Sequence, residues 1–214
     1  MSLYDITKRL MDIIGSICGI ILFSPLLIGG ALWVKLVSPE GPVFADIKDR
    51  VGKDKRPFKM FKLRSMVVNG YDFLKDNYPE LHKKYMENSY KLSADEDPRL
   101  LKGAKIIRKL SIDEMPQFFN VLLGTMSIVG PRAYYFYEIE EQLQKYPEAA
   151  PYLEEALKVK PGITGLWQVS GRSNVGFMDR VKLDAKYAKT KSIWFDILLI
   201  LKTPFAVLSG KGAL

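Results

Sequence analysis

An uncharged run from Ile13 to Val34, about 22 residues, is long enough to span a bilayer. A stretch this apolar has to be covered by lipid or by a protein core, so it decides where the rest of the chain can work. It does not read as a cleavable leader, because the run is too long for a typical leader core and no small-residue cleavage site ends it. Its centre carries Ser24-Pro25. Proline lacks the amide hydrogen and clashes with the preceding turn, so a kink or break is expected there. The half from Ile13 to Ser24 is roughly 18 Å long, a little past the middle of a roughly 30 Å hydrocarbon core.

Flanking charge separates two topologies. Lys8 and Arg9 precede the run, and Lys35 with a net-basic remainder follows it. Positive charge prefers the cytoplasmic side. A re-entrant helix-break-helix that enters and leaves on one face satisfies both ends, whereas a kinked single span satisfies only one. An ordinary single-pass anchor and a buried core hairpin are the competing readings. Backbone groups freed at Pro25 need partners, and the Ser24 hydroxyl is one candidate. Pro39-Glu40-Gly41-Pro42 is a turn leaving the membrane. Residues 1–38 are therefore expected to form a membrane hairpin and residues 39–214 one compact domain.

That domain has anionic company. The 214 residues carry a formal net charge of +8, with a pI near 9.4, which implies phosphates, acidic lipid or nucleic acid. The single cysteine, Cys18, excludes an internal disulfide framework and fits a reducing compartment. No cluster of histidine and cysteine suggests zinc, and the lone histidine, His82, reads as structural or solvated.

Arg108 to Arg132 is the chemically richest stretch. It sets adjacent carboxylates, Asp113 and Glu114, between arginines and ahead of an apolar run, Phe118 to Leu123, that reads as a helix closed by Gly124. Two caps compete: Ser111 with Glu114 in a capping box, or Asp113 with Pro116 in the first turn. The second is preferred, because the first places Pro116 deeper in the helix. Either way the carboxylates lie at a helix N-terminus, where the dipole favours a charged carboxylate or a bound phosphate. Adjacent positions do not share a helix face, so two different jobs are expected. Helix capping alone is the competing reading. Ser127 to Val129 then reads as a short strand ending at the turn Gly130-Pro131.

Elsewhere, Val43 to Met66 reads as β-rich around a Gly52–Lys55 turn, and Tyr71 to Lys91 as a surface helix or helix pair. Asp95-Glu96-Asp97-Pro98-Arg99 is an acidic turn before a helix, and Glu140 to Lys158 a helix broken at Pro147 and Pro151. Pro161-Gly162-Ile163-Thr164-Gly165 is either an anion cradle or a tight turn. Arg172, on the glycine turn after Trp167, suits bidentate contact with a diphosphate. Ser192 to Leu208 reads equally as an interfacial amphipathic helix and as a core helix.

The motifs S-I-D-E-M-P-Q, M-S-I-V-G-P-R and K-P-G-I-T-G-L-W-Q-V-S-G-R, in this order, resemble the bacterial monotopic phosphoglycosyltransferases, with similarity from Tyr4 to Leu208. The resemblance implies a polyprenyl-phosphate sugar-phosphate transferase. Its domain would sit on the cytoplasmic face of the bacterial inner membrane, carried by a hairpin dipping into one leaflet. It implies that Asp113 attacks the β-phosphate of a nucleotide sugar, a uridine nucleotide by family expectation. Glu114 would be a general base or position the acceptor. Mg²⁺ at Asp113 would bridge carboxylate and phosphate oxygens, and Lys62, Arg64, Arg108, Arg132 and Arg172 would hold phosphates. Arg50 also matches a basic family position. The expected partners are a nucleotide sugar, polyprenyl phosphate, membrane lipid and a second copy of the chain. The chain departs from the pattern at Ala133, where the family carries a second proline.

The fold expected is α/β or α+β: a small catalytic domain with a re-entrant membrane segment and interfacial amphipathic helices. The competing function is a non-enzymatic membrane adaptor whose basic face binds acidic lipid. It explains the charge and the anchor but not the carboxylates among the arginines. Nucleic-acid binding is disfavoured, because the basic residues are scattered and the membrane run speaks against it.

Overall fold

A computed structural model of the chain describes residues 2–45, 49–87, 92–171 and 175–208. The apolar run lies inside one long helix, α1, Leu3–Val37. Ser2 starts it with a reciprocal cap: its hydroxyl accepts from the Asp5 amide at 3.2 Å, and the Asp5 carboxylate accepts from the Ser2 amide at 2.8 Å. The expected interruption at Ser24-Pro25 does not divide the segment in two, because Pro25 sits inside the helix. Proline leaves the Ile21 carbonyl without its usual donor, and the Ser24 hydroxyl donates to that carbonyl at 2.8 Å.

One stripe of α1, made of Asp12, Ser16, Gly19, Gly30 and Val34, is buried against the rest of the chain. The small residues allow close approach. A side chain at Gly19 would begin 2.6 Å from the Phe118 ring, and one at Gly30 would begin 2.6 Å from Leu63. The outward residues Ile14, Ile21, Leu22, Ile28 and Leu32 are exposed and apolar. That pattern suits a helix with protein on one side and lipid on the other.

The β-rich stretch is a small hairpin, β1 (Arg50–Val51) antiparallel to β2 (Pro57–Phe58), extended by a bridge between Phe44 and Leu63. Two surface helices follow, α2 (Gly70–Asn77) and α3 (Pro79–Glu87), so the helix-pair reading holds. The acidic turn ends in a clasp: Asp97 accepts from the amide and both guanidinium branches of Arg99, at 3.0, 2.8 and 2.7 Å. Helix α4 (Ala104–Lys109) then leads through a single 3₁₀ turn, Ile112–Glu114, to α5 (Gln117–Leu123).

Gly124 closes α5 at φ 85°, as a left-handed C-cap should. Strand β3 (Ser127–Val129) pairs in parallel with β4 (Gly162–Thr164), and the connection passes through α6 (Phe136–Lys145) and α7 (Ala150–Ala156). The segment after Pro161 is thus a strand, neither a tight turn nor a loop cradle. Its glycines are required by closeness, since a Cβ on Gly162 would lie 2.0 Å from the Gly130 amide. Pro147 does end a helix, but Pro151 falls in the first turn of α7, where a missing donor costs nothing. Helices α8 (Leu166–Ser170), α9 (Phe177–Thr190) and α10 (Ile193–Leu208) follow to the end of the described residues. The core runs through Val121, Val129, Tyr134, Leu153, Val181, Tyr187 and Leu199. With two two-stranded sheets among the helices of the described residues, the architecture is helix-rich α+β.

Helix α10 answers both readings given for its sequence. Leu199 and Asp196 are buried, while Trp194, Leu201 and Phe205 stand exposed on another face. Two polar anchors hold the start of α1 against this region, and Tyr187 of α9 shares their acceptor. The Tyr4 hydroxyl reaches Asp196 at 3.1 Å, Lys8 lies 3.4 Å from the same carboxylate, and the Tyr187 hydroxyl donates to it at 2.6 Å.

Candidate active site

Leu110 ends α4 and Ser111 adopts φ 56°, turning the chain sharply before the acids. Neither cap expected from the sequence forms: Ser111 makes no side-chain cap, and the residue flanking α5 is Pro116 rather than Asp113. Proline fixes its own φ in the helical range, so the helix proper begins after it. Asp113 and Glu114 instead occupy the 3₁₀ turn just ahead of α5.

The turn separates their environments. Asp113 is 2% exposed and Glu114 42% exposed at the side chain, and Lys62 bridges them at 3.0 and 3.2 Å. Lys62 comes from the segment after β2, which Asn120 pins in place. The Asn120 carboxamide oxygen accepts from the Phe61 amide at 2.7 Å, and its nitrogen donates to the Lys59 carbonyl at 2.7 Å. The Leu63 amide donates to the Asp113 carbonyl at 2.9 Å, tying the two segments together. Burial pushes the Asp113 pKa up, while Lys62 pulls it down and Glu114 pushes it up again; the net shift is upward. Burial pulls the Lys62 ammonium down, but Glu114 and Asp113 outweigh it and the net shift is upward.

These groups open into a cavity of about 630 Å³. Its polar part carries Lys62, Asp113, Glu114, Arg108, Arg132 and Arg50. Its apolar part is made by Phe23 of α1, Phe118 of α5, Met60, Met126 and the Pro204–Val207 end of α10. The membrane helix therefore supplies one wall of the cavity that holds the carboxylates.

Arg132 is held from several sides. Its amide donates to Asp184 at 3.2 Å, its guanidinium lies 3.6 Å from Glu138, and the ring of Trp167 lies 5.4 Å away. The Tyr134 hydroxyl donates to the same Asp184 oxygen at 2.7 Å. Arg50 clamps the loop from β1: it donates to the Ala133 carbonyl at 2.8 Å and lies 3.3 Å over the Tyr135 ring. This clamp holds the loop where Ala133 stands in place of the second family proline. Burial pushes the Asp184 pKa up to about 7, against the opposing hydrogen bonds from Tyr134 and the Arg132 amide.

Of the residues expected to hold phosphate, Lys62, Arg108 and Arg132 line the cavity with the two acids. Arg64 does not. It is buried, donating to the Pro42 carbonyl at 2.7 Å, the Ser38 hydroxyl at 2.7 Å and the Ser38 carbonyl at 2.6 Å. A guanidinium committed to the turn that follows α1 is a structural clasp. Arg172 lies outside the described residues. His82 packs edge-on against Tyr71, away from the cavity.

Asp184 and Asn120 were the residues sequence reasoning undervalued. Asp184 had a readable signal: it shares a helical face with Val181, Ala185 and Ala188, and an acid on an apolar stripe needs a partner. Asn120 likewise falls inside an apolar helix.

For a divalent metal, no group of three or more carboxylate, histidine or cysteine ligands occurs among the described residues. Asp113 and Glu114, opening on the cavity, instead fit an ion held by one or two carboxylates together with substrate phosphates, as is usual for Mg²⁺.

Comparison with known proteins locates this arrangement. The sequence profile described as "Bacterial sugar transferase" matches residues 3–210. An undecaprenyl-phosphate galactose phosphotransferase of Salmonella typhimurium is 41% identical over 209 residues, 96% of this chain and 41% of that protein. A UDP-N-acetylgalactosamine-undecaprenyl-phosphate N-acetylgalactosaminephosphotransferase of Aeromonas hydrophila is 37% identical over 214 residues, 99% of this chain and 46% of that protein. The exopolysaccharide production protein ExoY of Sinorhizobium fredii is 36% identical over 208 residues, 97% of this chain and 88% of that protein. This chain thus spans about two fifths of the length of the first of these relatives.

Proposed function

Because the chain belongs to the bacterial sugar transferase family, we propose that it moves a sugar 1-phosphate from a UDP-sugar to undecaprenyl phosphate at the cytoplasmic face of the inner membrane, beginning a polysaccharide. The observation that carries this reading is the cavity in which a buried carboxylate, four cationic side chains and a wall from the membrane helix meet. A soluble diphosphate and a lipid phosphate need such a two-natured site.

In the first half-reaction a carboxylate oxygen of Asp113 attacks the β-phosphorus of the UDP-sugar. A new O–P bond forms, the bond to the bridging oxygen breaks, and UMP leaves with that oxygen. In the second, an oxygen of undecaprenyl phosphate attacks the same phosphorus and frees Asp113. Splitting the transfer lets one site serve two substrates in turn. Lys62, 3.0 Å away, pulls the Asp113 pKa down against its burial. Glu114, more exposed and nearer solvent, orients the acceptor phosphate or takes its proton. Arg108 and Arg132 hold the diphosphate, and Asp184 and Glu138 fix Arg132 for that task. Asp113 would hold Mg²⁺, which would lower the repulsion between carboxylate and phosphates. The prenyl chain leaves along Phe23, Phe118 and Val207.

The path of α1 belongs to the same proposal. Arg9 near its start donates to the Val121 and Leu122 carbonyls at 2.7 and 2.8 Å, and Trp33 near its end donates to the Lys102 carbonyl at 3.0 Å. Both ends are thus fastened to one domain, which favours entry and exit on one membrane face. The test offers purified chain Mg²⁺, undecaprenyl phosphate and a panel of UDP-sugars. UMP release with one sugar and its loss in Asp113→Asn support the reading. Release undiminished in Asp113→Asn moves the nucleophile elsewhere, and silence across the panel from folded protein favours the lipid-binding adaptor.

A further inference from the structure

Near the start of α1, outside the residues that line the cavity, two cations lie together. Arg9 and Lys160 both converge on Gly124, the C-cap of α5: a Cβ placed there would lie 3.5 Å from the Arg9 guanidinium and 3.6 Å from the Lys160 ammonium. Capping explains only one of them. Arg9 already answers the carbonyls at the α5 C-terminus, through Val121 and Leu122. The Lys160 ammonium has no hydrogen bond or ion pair among the described residues. Two like charges brought together without a counter-ion cost free energy, and burial and the neighbouring Arg9 both push the Lys160 pKa down. Lys8 and Lys53 add to the same positive field, and Asp12 opposes it while itself engaged by Lys8, Ser127 and the Ile128 amide.

The surroundings say what kind of anion fits. Gly124 presents backbone without a side chain at φ 85°, so no Cβ fills the space in front of the two cations. Beside them Leu122 and Leu123 end α5 and are both exposed, Leu123 by 68%. A phosphate-binding pair rimmed by exposed aliphatic side chains, beside the first residues of the apolar run, matches a lipid rather than a soluble phosphate.

We propose that Arg9 and Lys160 bind the phosphate of an anionic phospholipid headgroup over Gly124, with its acyl chains along Leu122 and Leu123. The site is separate from the cavity, since neither cation lines it. It would fix the depth of α1 and of α5, the helix that follows the two acids.

The test uses the 214-residue chain in a neutral detergent, titrated with short-chain phosphatidylglycerol and, in parallel arms, with phosphatidylcholine of the same chain length and with inorganic phosphate. Saturable binding of phosphatidylglycerol is expected, weakened about fivefold in Lys160→Gln and recovered in Lys160→Arg, with phosphate and phosphatidylcholine much weaker. Lys160 contacts neither acid, so Lys160→Gln should keep the wild-type melting temperature, and this controls for folding. Equal binding by Lys160→Gln and wild type would overturn the proposal. So would phosphate binding as tight as the lipid's, or no preference between the two lipids.

Discussion

At the scale of single residues, the decisive feature is a carboxylate buried under a lysine. On the proposed mechanism Asp113 must be ionised to attack phosphorus, yet its pKa is raised by burial. Activity should therefore rise with pH through a value above the ordinary carboxylate range, which lies near 4. Lys62→Met removes the group that pulls this pKa down, so the acid limb of kcat/KM should move to higher pH and the plateau should fall. A limb that stays in place would separate Lys62 from Asp113. Asp184 gives a second pH effect, on stability. Its pKa is near 7 when folded, against about 4 unfolded, so the folded protein keeps a proton that the unfolded chain releases. The stability this supplies is complete below pH 4 and lost as pH rises towards 7. Asp184→Asn keeps an acceptor for Tyr134 and cannot titrate, so its melting temperature should fall less than that of wild type between pH 5 and 7.5. The sequence could show that Asp113 and Glu114 sit together and do different work, because neighbours on a turn point apart. It could not show that Arg64 clasps the Ser38–Pro42 turn, because a buried guanidinium and a phosphate ligand look alike in a β-rich basic stretch.

At the scale of elements, α1 is both lipid-facing and part of the catalytic domain's packing. The uncharged run, Ile13 to Val34, located its apolar part but not its bounds, since the helix runs from Leu3 to Val37. Its continuity was not legible either, because it depends on one hydroxyl, that of Ser24, satisfying the Ile21 carbonyl that proline abandons. The strand at Gly162 was hidden for a similar reason: two glycines permit a close crossing with Gly130 that no periodicity reveals. The packing is tight enough to test. A Cβ at Gly19 would meet three ring atoms of Phe118 at 2.6 to 2.8 Å. Phe118 also stacks on Phe23 at 5.9 Å, and both line the cavity. Gly19→Ala should cost about 1–3 kcal/mol by overpacking and depress kcat with it. Differential scanning of the detergent-solubilised variant, beside its turnover, checks both; an unchanged melting temperature would mean that α1 stands off the domain.

At the scale of the whole molecule, both ends of α1 fasten to the domain that carries the acids. In a Cys18→Ser background, cysteines at Ser2 and at exposed Lys75 of α2 should react with an impermeant maleimide from the same side of sealed vesicles. Reaction from opposite sides would make α1 a spanning helix. In the proposed mechanism the domain's proximity to lipid would let a nucleotide sugar and a prenyl phosphate use one cavity in turn, and everything in that account depends on a covalent stage at Asp113. The most direct test is to give the chain its UDP-sugar without acceptor lipid, quench in acid and measure the mass of the protein and of its peptides. The account predicts a sugar phosphate attached to Asp113, removed when undecaprenyl phosphate is added. An active enzyme with no adduct, or with the adduct on another residue, would contradict it.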